Sequence, residues 1–259
     1  MIQEWDSNNR SISLQVTVKS PTKKRFFIVA GEKDRVNSAY ARRDMEVEGE
    51  RTITLSFPVT PETMLIGIWN KHNKADNNFT VEFNEVPLRT YNVWLDFETK
   101  QFLNLAFRFC RVCGYEFASP KGRVISQDKF VIKYFPVIID YMKNIPLSTP
   151  ARIGHNSGII EVAKCRFDNY TFAERMMILL HEFSHKYRNP KLGLAIENEI
   201  GADINALYIY LGYGFSKIDA INVFANVFLK AQTDSNIKRM RAIMDYIARF
   251  ESGEYAQLA

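Results

Sequence analysis

The chain has 259 residues, 46% hydrophobic and 24% charged, which excludes a disordered polymer and allows one large domain or two modest ones. A net charge of +5 and a pI near 9.0, with no concentrated Lys/Arg block, argue against nucleic acid as the partner. No apolar run approaches the roughly 18 residues that span a bilayer, so no membrane is expected; Met1 to Arg10 is polar and acidic, unlike a secretory signal.

Ile12, Leu14, Val16 and Val18 alternate with Ser13, Gln15 and Thr17, the period-two pattern of a half-buried strand. Further strands are predicted at Arg25 to Ala30, Thr52 to Phe57, Met64 to Trp69, Phe79 to Phe83 and Thr90 to Leu95. Turn-forming stretches separate them: Ser20-Pro21-Thr22, Thr60-Pro61-Glu62 and Asn73 to Asn78. Strands this short at this spacing predict an antiparallel β-sandwich over residues 1–95. Charge-rich Glu32 to Glu50 reads as a surface loop or a partner-docking arm. Nothing in this third resembles a catalytic cluster, which suits an interaction domain that docks protein assembly partners.

Around Leu95 the pattern changes, and residues 96–259 form the second predicted domain. Asp96 is a candidate N-cap for a helix from Phe97 to Cys113, stopped at Gly114. Cys110-Arg-Val-Cys113 is a C-x-x-C that can bind metal or do redox work. It has no companion C-x-x-C, and core thiols are the expectation. With Cys165 the three cysteines make no disulfide framework, which fits a reducing compartment. Phe130 to Phe135 reads as a strand, although a helix through Tyr141 fits the periodicity too. Pro136, Pro146 and Pro150 break up the next segment, and Gly158 to Phe167 alternates as a strand.

Thr171-Phe-Ala-Glu174 makes a capping box, so a helix is predicted from there until Asn189-Pro190, with Phe172, Met176 and Leu179 or Leu180 facing inward. Inside it lies Leu180-His181-Glu182-Phe183-Ser184-His185, an H-E-x-x-H pattern holding two of the four histidines. Residues four apart share a helix face, so His181 and His185 can direct two imidazoles at one metal ion. Glu182 projects beside that ion, where a carboxylate can take a proton from water. An ordinary amphipathic helix with two exposed histidines leaves both the spacing and the acidic stretch downstream unexplained. That stretch, Glu197-Asn198-Glu199-Ile200-Gly201-Ala202-Asp203, belongs to a predicted helix from Leu194 to Leu211 closed by Gly212-Tyr213-Gly214. Glu199 can supply the third protein ligand of a catalytic zinc, and Asp203, one turn on, can hydrogen-bond the outer nitrogen of a ligating His. Glu197 is the rival ligand, two residues away and so pointing elsewhere. Two more helices, Lys217 to Ala231 and Ser235 to Phe250, carry core-type apolar spacing at Ile221, Phe224, Val227 and Phe228 and at Met240, Ile243, Met244 and Ile247.

His181-Glu-Phe-Ser-His185 followed by Glu199-Ile-Gly-Ala-Asp203 resembles the zincin metallopeptidases, in the gluzincin branch with an E-x-x-A-D helix, across roughly Phe97 to Phe250. The resemblance implies Zn2+ held by His181, His185 and Glu199, with Glu182 as general base, Asp203 behind the ligands, and a peptide or protein substrate. It also implies that the strand before the metal helix is a sheet edge that pairs with an extended substrate. Lys186 stands where stringent forms of the motif have an uncharged residue, and the spacing from His185 to Glu199 is short. A second electrophile for the oxyanion is left open among Tyr208, Tyr210, His155 and Arg239. In layout alone the chain resembles ring or adaptor proteins of the portal–tail junction of tailed phages, which implies an oligomeric virion component that need not cleave. The expected fold class is α+β, a β-sandwich followed by a zincin-like, mainly helical domain with a small sheet, in a cytoplasmic or virion-associated protein.

Overall fold

Period-two alternation does build strands in the first third, and they run longer than their turn signals suggest. The computed structural model describes residues 1–35, 38–140, 142–193 and 199–256. It divides into two compact units, Met1–Arg89 with Gly214–Ser216, and Thr90–Tyr213 with Lys217–Ala259.

The first unit holds β1 (Ile2–Asp6), β2 (Ile12–Glu32), β3 (Ala39–Phe57), β4 (Thr63–Asn70) and β5 (Thr80–Val86). All five pair antiparallel through one hydrogen-bonded network, the antiparallel sheet that was expected here, with β2 at its centre. One side of β2 pairs with β3, while its other side takes β5 at Ser13 to Lys19 and β4 at Phe26 to Glu32. Ser20-Pro21-Thr22 is not a turn. The chain passes through it as strand, and the ladder shifts register between Ser20 and Lys24, where Pro21 gives up no needed N–H. The predicted arm at Glu32 to Glu50 is also corrected, because most of it is β3. Ala41, Met45 and Val47 are buried there, while Arg42, Asp44, Glu46 and Glu48 face out. The charges that mimic a solvated arm pair across to β2, Arg25 with Asp44 at 2.6 Å and Lys23 with Glu46 at 3.0 Å. Leu14, Val16, Val18, Phe26 and Ile28 of β2 and Met64, Ile66 and Ile68 of β4 form the core of this unit.

Thr90 to Leu95 is not a strand; its ladder contact is confined to Tyr91, whose N–H donates to Gly212. Helix α1 (Phe97–Val112) then begins at Asp96, whose side chain accepts from Thr99 N at 2.7 Å. Cations help satisfy the carbonyls around its C-terminus: Arg175 donates to Cys110 O at 3.3 Å, and Lys164 to Cys113 O and Gly114 O just past the end. Cys110 and Cys113 are free and buried, and burial pushes the Cys113 thiol up to about 11 and raises Cys110 as well. Both are core thiols.

The small sheet comprises β6 (Arg123–Gln127), β7 (Phe130–Phe135), β10 (Ala151–Ile153) and β11 (Ile160–Ala163), in the order β10-β11-β7-β6; β8 (Ile139–Asp140) and β9 (Ile145–Pro146) form a separate hairpin. Only four residues of the predicted strand at Gly158 to Phe167 are strand. They lie inside the sheet, parallel to β7, and Lys164–Phe167 turns into the short helix α2. The edge next to the helix that carries the H-E-x-x-H pattern is β10, too short to show an alternation.

Helix α3 (Phe172–Ser184) starts with the predicted capping box: Thr171 Oγ1 accepts from Glu174 N, and Glu174 accepts from Thr171 N. It is buried almost all round. Met176, Met177, Ile178, Leu179, Leu180 and Phe183 are fully enclosed, and Phe183 stacks on Phe102 of α1 at 4.3 Å. Each such side chain contributes about 1.5–3 kcal/mol of burial. The helix ends at Ser184 with His185 as C-cap, short of the Asn189-Pro190 expected to end it. Helix α4 is described from Glu199 to Gly212; Glu197 and the predicted start at Leu194 lie outside the described residues. Helix α5 (Lys217–Val223) passes into a π-helical turn, Phe224–Phe228, in place of one helix to Ala231, and α6 spans Asp234–Glu251. Ile243 and Ile247 are buried as predicted, but Met244 is exposed. Among the described residues no helix is long and apolar enough to cross a membrane.

Candidate metal centre

One turn of α3 sets His181 above His185, and their Nε2 atoms approach to 3.1 Å. Glu199 of α4 brings Oε2 to 3.7 Å from His181 Nε2 and Oε1 to 3.7 Å from His185 Nε2. Zinc–nitrogen bonds of about 2.0–2.1 Å at tetrahedral angles put ligand atoms about 3.3 Å apart, so the spacing of these three groups fits one ion. His181 Nδ1 lies 2.9 Å from Asp203 Oδ1, off the line of the ring N–H. That carboxylate favours a proton on Nδ1 and leaves the Nε2 lone pair aimed at the centre. Two imidazoles with facing nitrogens and a carboxylate beside them form a donor set that suits zinc.

The electrostatics follow from burial and neighbours. His181 is nearly enclosed; burial disfavours its charge, but Asp203, together with Glu182 and Glu199, outweighs that and holds the imidazole above its usual value. Burial and the neighbouring His181 lower His185. Burial pushes the Glu182 carboxyl up to about 7, against the pull of His181 and of the Ile153 N–H. Ala151 and Ile153 turn their backbone groups to the open edge of β10, since Gly154 N and Pro150 O are spent on β11. The edge strand therefore offers an N–H to the candidate base. Asp203 is fully buried, and its pKa is held low, against burial, by His181 and Arg239.

Arg239 of α6 was a candidate electrophile in the sequence and proves to be a brace. It donates to Asp203 through Nε at 2.8 Å and Nη2 at 2.9 Å, and Nη2 reaches Glu199 at 3.1 Å. Tyr208 accepts from Trp94 N at 2.8 Å, and Tyr210 is fully enclosed, so neither tyrosine is placed to meet a substrate. His155 is exposed on the 154–158 turn. Lys186, the departure from the stringent motif, has a local role: its Nζ donates to Asn156 O at 2.8 Å and pins that turn to the end of α3.

No family model, curated protein or solved structure matches the chain. The site is therefore read from its own residues. Three of its features had no signal in the sequence: the bracing role of Arg239, the β10 edge, and the approach of Phe228, in the π-helical turn, to within 4.2 Å of the His181 ring. All three are long-range contacts with no local spacing to announce them, although π-helical turns recur at functional sites. Arg239→Met should lower stability by about 3 kcal/mol, because it strands the buried Asp203 charge without its partner. Equilibrium urea unfolding of the metal-free protein measures this, and a change under 1 kcal/mol refutes the brace.

Proposed function

We propose that the unit containing α3 and α4 is a zinc-dependent peptidase domain of the gluzincin kind, with His181, His185 and Glu199 as ligands and Glu182 as general base. The reading is carried by the convergence of those three ligand groups within 4.8 Å of one another, with an enclosed carboxylate next in sequence to the first. Zinc in such a site supplies a Lewis acid and brings the acidity of water towards neutrality. Glu182 accepts the proton of the attacking water and delivers it to the leaving amine. Burial and the Ile153 N–H hold its side chain for that exchange. Asp203 and Arg239 fix the orientation of His181 and Glu199, and the open edge of β10 gives an extended polypeptide a backbone to pair with. We assign recruitment of substrate or assembly partners to the sheet unit, which has a core of its own and supplies none of these residues.

The test is metal analysis of the dialysed protein together with cleavage of an unfolded protein substrate. One zinc per chain and cleavage lost to a chelator and restored by zinc are the expected results. A chain without zinc refutes the centre; zinc without cleavage refutes the peptidase and leaves a structural component of a larger assembly.

A further inference from the structure

One of the three ligand groups sits where a helix holds its residues least firmly: His185 is the C-cap of α3. The last carbonyls of a helix lack intrahelical partners, and terminal turns fray unless something ties them down. Here the tie is a carboxamide. Asn205 of α4, 1% exposed, accepts from Asn189 N–H at 2.9 Å through Oδ1 and donates through Nδ2 to Ser184 Oγ at 2.8 Å and Tyr187 O at 3.3 Å. Ser184 is itself fully buried and immediately precedes His185. Asn189 continues outward: its Nδ2 donates to Trp94 O at 3.1 Å, and its Oδ1 accepts from Lys191 N at 3.0 Å.

A buried amide costs free energy unless its donors and acceptor are all used, and these are. An apolar side chain of the same volume would fill the same space with no such requirement. What the amide adds is direction, because a planar group with one acceptor and two donors fits only one placement of the chain beyond α3 against α4. We infer that Asn205 is a positioning residue of the metal centre, locking the end of α3, and with it His185, onto the helix that carries Glu199 and Asp203. This rests on the zinc-centre reading above. Asn205 touches neither the ligand atoms nor the base; it acts through the backbone and Ser184.

Asn205→Leu keeps the branching and the number of heavy atoms and removes every bond of the latch. Ser184→Ala removes one bond and leaves Asn205 in place, so it serves if the first variant does not fold. Zinc affinity is measured by competition with a chromophoric chelator, at a temperature where circular dichroism shows each metal-free protein folded. Groups that orient metal ligands without touching the metal change affinity by about 10–100-fold. That loss is expected for Asn205→Leu, and a several-fold loss for Ser184→Ala. A merely structural role lowers the melting temperature and leaves the affinity of the folded protein unchanged. Wild-type affinity in Asn205→Leu, or in Ser184→Ala if it alone folds, overturns the inference and spares the zinc centre. A wild-type chain that binds no zinc overturns both.

Discussion

His181→Ala is expected to abolish stoichiometric zinc binding. The ring supplies Nε2 at 3.1 Å from His185, and Asp203 at its far side orients it. Removing it deletes a donor and leaves a void beside Phe228, whose ring packs on it at 4.2 Å. The remaining pair, His185 and Glu199, is too small a set for a catalytic zinc, which needs three protein ligands. The effect should exceed the roughly 10–100-fold that comes from losing an outer hydrogen-bond partner. Two measurements report it. Metal analysis gives the stoichiometry. Thermal unfolding gives the linkage, since a ligand at 100 times its Kd stabilises the folded state by about 2.7 kcal/mol. The wild type should gain stability when zinc is added, and His181→Ala should not. His155→Ala is the control: that side chain is exposed on a turn, so its loss should leave zinc in place. If His181→Ala retains one zinc per chain, the ligand set is wrong.

What the sequence could show of this site is what lies close along the chain. The four-residue spacing of His181 and His185, the capping box at Thr171 and Glu174, and the cap at Asp96 are each set within one helical turn, and each stands in the structure. Asp203 was legible behind the ligands, but the partners that hold the second tier are not, because their distances are tertiary. Asp203 meets Arg239 across 36 residues, and Asn205 meets Ser184 across 21. Neither pair has a spacing to recognise, and Arg239 sits in an ordinary amphipathic helix. The β errors have a different cause. Register and partner choice along β2 depend on what lies beside it, so a proline that signals a turn locally is absorbed at a register shift. In β3 the alternation was hidden by its composition: charged residues face out, and Arg43, on the inward side, breaks the apolar series. Burial of α3 on nearly every face likewise exceeds the single inner stripe its sequence suggests, because α1, α4, α5 and the small sheet all pack around it.

Glu182→Gln would separate the proposed base from the proposed metal. The two side chains have nearly the same shape, and the amide oxygen of Gln can still accept from the Ile153 N–H, so packing around α3 should be kept. No ligand is altered, and zinc should remain at one per chain. Nor should the fold suffer. Burial already disfavours the carboxylate and pushes it up to about 7, so a neutral amide of the same size relieves a penalty and removes no stabilising charge. What Gln cannot do is accept a proton from water and return it to an amine. Losing a positioned general base costs about 10²–10⁴-fold in rate, and the loss should fall on kcat with KM little changed, because the group acts in the transition state and not in substrate binding. Single-turnover cleavage of an unfolded substrate, with zinc content measured on the same samples, gives both numbers. Full activity with bound zinc would remove Glu182 from the mechanism. Lost zinc would instead mean that the carboxylate holds the metal, and the division of labour between Glu182 and Glu199 would have to be reversed.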